Sequence, residues 1–177
     1  MKVLATLLSL IVLCCGVAFS QDAALTAATS ACGPKDEKMK VSADNAKDVL
    51  TQPEPGKALV YVIEDDGVAN RIIGGGATWR VGLDGAWVGG VNRHSPYTAL
   101  SVSPGEHHLC TNRQSTIGYL SKAAGVARLD AEPEKTYYFR VREWESQTVV
   151  FVDFTPVDSD QAKLLIALQP ASARNKK

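Results

Sequence analysis

The stretch SVSPGEHHLCTN, residues 101 to 112, places two adjacent histidines and a cysteine just beyond a Pro-Gly turn. Those residue types can ligate a metal, form a thiolate–imidazole nucleophile, or supply one half of a disulfide. A zinc site needs three or four ligands converging on one ion. Neighbouring side chains on a strand point to opposite faces, so His107 and His108 cannot easily share an ion. His108 and Cys110 do share a face, and a site there would have to recruit His94 from another loop, with Cys110 or a carboxylate as the further ligand. A nucleophilic cysteine needs a depressed pKa beside its base, ordinarily at a helix start or in a loop, whereas Cys110 sits mid-strand.

The disulfide reading depends on the compartment, and the amino terminus speaks to that. Lys2 is followed by VLATLLSLIVLCCGVAF, with no charge before Asp22. A positive start, an apolar run and the small residues of Ala18-Phe19-Ser20 make a secretory signal over residues 1–20, with Gln21 opening the mature chain. An uncleaved anchor is the alternative, since the run approaches a spanning length. No later segment is long and apolar enough to span. Lipid attachment at Cys32 fits less well, because Thr29-Ser30-Ala31-Cys32 lacks the leucine of a lipobox and lies beyond Asp22. After cleavage only Cys32 and Cys110 remain of the four cysteines. An even pair in an exported chain points to one disulfide between them.

Charge and the remaining motifs narrow the function. Cleavage removes one of 19 basic residues and none of 19 acidic ones, leaving a chain close to neutral, which argues against nucleic acid as a partner. IIGGGATWR lacks the Gly-Lys-Ser/Thr ending of a phosphate loop and reads as a turn before a strand. Glu64, Asp65 and Asp66 could do acid–base work, but at a strand end beside Gly67 they read as a solvated turn. Trp87, Tyr97 and Tyr138 would make a ligand-stacking patch if they faced outward together. Tyr137, Phe139, Val141 and Trp79 have the parity of core residues instead. Nothing here implies a cofactor.

These residues must be positioned by the elements around them. Residues 21–56 run from an Ala/Thr/Ser stretch through PKDEKMK to QPEPGK and read as an extended arm. From Lys57 the pattern has period two, broken by turn residues: KALVYVIED, ATWRVGLD, AWVGGVN, PYTALSVS, HHLCTN, AGVARLDA, TYYFRVREW and QTVVFVDFTPV. Asp84-Gly85, Pro104-Gly105-Glu106 and EPEK each suggest a hairpin. Seven or eight such strands over residues 57–157 predict an all-β antiparallel fold, a sandwich or a small barrel, with the sandwich preferred. A helix follows over 158–170, capped by Asp158 with Gln161 in reply and stopped by Pro170, with Leu164, Leu165 and Leu168 as its apolar stripe, expected to cover an edge or end of the sandwich. Residues 171–177 form a small basic tail.

The motifs PGKALVYV, DGAWVG, SPYTALSVSPGEHHL and KTYYFRV stand in that order. As a set they resemble a bacterial domain-of-unknown-function family of exported proteins, itself similar to PEGA-type β-sandwich domains. The resemblance spans about residues 55 to 145. It implies an Ig-like sandwich without catalytic residues, used as a module of surface and envelope proteins. The expectation is therefore an exported, noncatalytic module that binds or scaffolds an envelope protein or glycan. A carbohydrate- or peptidoglycan-binding module is the alternative and a metal-dependent enzyme the third reading.

Overall fold

The computed structural model describes residues 29–41, 52–65, 77–118, 120–146 and 149–169. The stretch expected to be a signal peptide, the three-glycine run, Asp66, Pro170 and the basic tail lie outside the described residues.

Eight strands form in chain order: β1 (Ala58–Glu64), β2 (Thr78–Leu83), β3 (Ala86–Val91), β4 (Tyr97–Val102), β5 (Gly105–Gln114), β6 (Ala124–Ala131), β7 (Thr136–Ser146) and β8 (Val149–Val157). They make two four-stranded sheets, ordered β4-β1-β7-β8 and β3-β2-β5-β6. All pairings are antiparallel except β1 with β7. The expected β-sandwich with one C-terminal helix is what the chain builds.

Alternation dictates the core. Val60 and Val62 of β1, Trp79 and Val81 of β2, Leu109 of β5, Phe139 and Val141 of β7 and Phe154 of β8 meet between the sheets. Each such side chain contributes about 1.5 to 3 kcal/mol on burial. Tyr137 packs against this cluster, in keeping with its parity. Arg113 of β5 also points inward, where its Nη1 meets the carboxylate of Glu143 from β7.

Two of the three expected hairpins are not hairpins. Asp84 and Gly85 do turn β2 into β3, with φ of 50° and 88° as a tight two-residue reversal requires. Across Pro104-Gly105, however, β4 pairs with β1 while β5 pairs with β2 and β6. Across EPEK, β6 stays with β5 while β7 joins β1 and β8. Both turns carry the chain from one sheet to the other, because each flanking strand has its apolar row turned to the shared core.

The helix α1 (Ser159–Ala167) starts where expected: Asp158 accepts from the amides of Asp160 and Gln161, at 2.9 Å each. It contacts β7 and β1, central strands of their sheet, so it lies over a sheet face rather than an edge. Its covered side also differs from the expected stripe. Ala162 and Gln169 are buried and Leu165 and Ile166 half-buried, whereas Leu164 and Leu168 are exposed.

Candidate functional site

The outward-facing residues of β2 and β5 build a polar row. In register, Thr78 stands opposite Gln114, Arg80 opposite Asn112 and Gly82 opposite Cys110. Residues 29–41, the described part of the arm, lie along this row. Cys110 is joined to Cys32 by the expected disulfide, with Cα atoms 5.1 Å apart. Gln114 clasps Met39, accepting its amide at 2.7 Å and donating to its carbonyl at 3.1 Å. Asn92 donates to the carbonyl of Val41 at 3.2 Å.

Arg80 is the centre of the row. Its Nη1 donates to the carbonyls of Lys35 (3.1 Å) and Glu37 (2.6 Å), and its Nη2 to Oδ1 of Asn112. Asn112 is itself oriented by donating from Nδ2 to the carbonyls of Ser121 and Ala123. The guanidinium lies 4.2 Å from the ring centroid of Trp87, a cation–π contact. Trp87 in turn donates from Nε1 to the carbonyl of Pro34 at 2.8 Å. Gly33 lies so close to this indole that a Cβ there would stand 2.5 Å from its Cδ1. Burial lowers the pKa of Arg80, opposed by the charge of Glu37.

Between the arm and the sheet is a cavity of about 1060 Å³. The arm supplies one wall, Arg80 and Trp87 the floor, and the end of β5 with the segment after it the opposite wall. Its charged lining comprises Lys35, Lys38, Arg80 and Lys122 against Asp36 and Glu37, with Arg113 also at the cavity but its side chain turned inward to Glu143. Chemically this arrangement is equipped to hold a polar ligand by charge and hydrogen bonds.

The other sequence-predicted residues lie elsewhere or are already committed. Trp87 stands on β3, while Tyr97 and Tyr138 stand on β4 and β7 of the other sheet, so the three do not form one patch. Tyr138 stacks on Tyr61 with ring centroids 5.2 Å apart. The pKa of Tyr61 is raised, first by burial and then by Tyr138 and Tyr97 nearby. His107 holds Oδ2 of Asp84 through Nδ1 at 2.6 Å and the carbonyl of Ser103 through Nε2 at 2.8 Å. His108 donates its amide to Asp84 at 2.8 Å, and its ring lies 3.8 Å from Glu106. His94 is exposed, its Nε2 accepting from Arg93. Among the described residues no three His, Cys, Asp or Glu side chains converge as metal ligands do. Glu64 does not belong to a solvated turn: it is 1 % exposed and points inward with Val60 and Val62, its backbone bonded to Pro96 and Gln169.

Arg80, Asn112 and Gln114 were not singled out by the sequence. The available signal was their parity with Cys110 and Gly82, which makes them one outward row once β2 and β5 are known to pair. A scan against protein-family models, a search of curated proteins and a search of solved structures returned no match for the chain.

Proposed function

We propose that the chain is an exported, noncatalytic β-sandwich module of the bacterial cell envelope, and that it binds or scaffolds an envelope component through the groove between its arm and the β3-β2-β5-β6 sheet. The observation that carries this reading is the pinned arm. A disulfide and a row of side-chain bonds hold a segment without regular strands against a finished sheet, leaving a cavity of ligand size between them. Prior ordering of that wall removes an entropic cost that binding would otherwise pay. Disulfides persist in oxidising compartments, which supports export. The disulfide also occupies the Cys32 sulfur that lipid attachment would need. His107 and Cys110, two of the residues a metal-dependent enzyme would have drawn on, are engaged with Asp84 and Cys32. The expected resemblance of the ordered motifs to an exported domain-of-unknown-function family is consistent with this reading.

Co-sedimentation with purified peptidoglycan sacculi, paired with binding to immobilised envelope proteins, tests this. The oxidised chain should bind one of the two fractions, and Cys32→Ser should weaken that binding by about tenfold or more by freeing the wall. Equal binding by Cys32→Ser, or binding to neither fraction, contradicts the proposal.

A second reading, a carbohydrate-binding module, is favoured by the Tyr61–Tyr138 stack with Tyr97 beside it on the other sheet. In that case Tyr138→Ala would abolish binding to sacculi while Cys32→Ser would leave it intact.

A further inference from the structure

We infer that the groove takes a ligand bearing an oxyanion, a phosphate or a carboxylate, seated over Arg80 between the lysines of the two walls. This rests on the groove being the binding surface and adds the chemistry of what it binds.

The charged lining is unbalanced. Arg113 is neutralised from the far side by Glu143, which leaves Lys35, Lys38, Arg80 and Lys122 facing Asp36 and Glu37. Lys35 and Lys38 come from the arm and Lys122 from the opposite wall, so cations flank the cavity on two sides. Arg80 at the floor is 7 % exposed. Its Nη atoms meet two carbonyls and an amide, all neutral acceptors, and among the described residues no carboxylate lies within ion-pair distance of it. Its Nε is buried with no hydrogen-bond partner there. A buried cation whose direct hydrogen-bond partners are all neutral is costly, and an anion entering beside it recovers part of that cost. The charge of Glu37 supplies part of the compensation, and the remainder is left for a ligand. The indole of Trp87 adds an apolar surface next to the guanidinium, suited to the body of a ligand whose anionic group is held by the cations.

The test is a titration of the oxidised, ¹⁵N-labelled protein with glycerol phosphate, with glucuronate and with glucose, following backbone amides and the Trp87 indole N–H. Saturable shifts confined to the arm, Asn112 to Lys122 and Trp87 are expected with one or both anions, and whichever anion binds tighter names the group. The double variant Lys38→Glu/Lys122→Glu changes two exposed side chains, so its fold is spared, and it should weaken anion binding by about tenfold or more. Anion shifts that persist unchanged in that variant, shifts lying outside the groove, or no response to any probe overturn the inference. A response to glucose equal to that for the anions also overturns it, while leaving the groove as a binding surface. Co-sedimentation of the wild-type chain decides the binding role separately.

Discussion

At the scale of single residues, His107 and Asp84 form a clasp whose chemistry is pH-dependent. Both ring nitrogens of His107 face oxygen acceptors, so only the imidazolium satisfies both at once. Burial pulls the His107 pKa down, but the bonds to Asp84 and Ser103 and the charge of Asp84 outweigh it and raise the value. Burial likewise pushes Asp84 up, and the bonds from His108 and His107 bring it below its usual range. A raised histidine contributes stability that is full below its unfolded value of about 6.5 and is lost as pH rises through its folded value. A depressed aspartate contributes above its unfolded value of about 4 and loses that as pH falls through its folded value. The clasp is therefore strongest between about pH 4 and pH 6.5. Urea midpoints should fall as pH is raised from about 6 to about 8, and His107→Gln should remove that slope. A slope unchanged in the variant would assign it to another group. Gly33 is the second sensitive position: Gly33→Ala puts a methyl into the Trp87 ring and should cost about 1 to 3 kcal/mol in chemical denaturation. The cysteine pair could be read from the sequence because an even count after the expected cleavage and an otherwise untethered arm both bear on it. Arg80 could not, because two of its acceptors are arm carbonyls, which every residue carries and no sequence pattern marks.

At the scale of elements, the strands were legible and their partners only partly so. Alternation located all eight, and Asp84-Gly85 fixed a turn in which two successive residues take the left-handed backbone that only certain residues accept. Pro104-Gly105 and EPEK reverse the chain equally well within a sheet or between sheets. That choice is made by the parallel docking of β7 on β1, a contact between segments far apart in sequence. The helix misled for a similar reason. Leucines drew the stripe to Leu164 and Leu168, but the face that fits the sheet presents Ala162, small enough for close approach, and Gln169, which donates to the carbonyl of Glu64 at 3.1 Å. The disulfide is the element-scale restraint on the arm. It closes a loop with a sequence separation of 78 residues and should stabilise the fold by about 4 kcal/mol on the chain-entropy model. Cys110→Ser should accordingly lower the thermal midpoint by about 10 °C while the far-ultraviolet circular dichroism retains its β signature. A midpoint equal to that of the oxidised wild type would show that the side-chain clasps alone hold the arm.

At the scale of the whole molecule, a sandwich closes its core with two sheets and then uses the outer surface of one of them as a floor. The sandwich class was legible because period-two patterning and turn spacing are local properties summed over the chain. The groove was not, since it exists only where the arm, β2, β5 and the segment after β5 come together, and its cationic lining is drawn from all of them. The central claim is that this surface is where the protein binds. Hydrogen–deuterium exchange of the oxidised chain, free and bound to the envelope fraction that retains it, tests it most directly. Protection gained over residues 29–41 and 112–122, with the Tyr61 and Tyr138 strands unchanged, is the predicted result. Protection confined to β1, β4 and β7, with the arm unaffected, would contradict it.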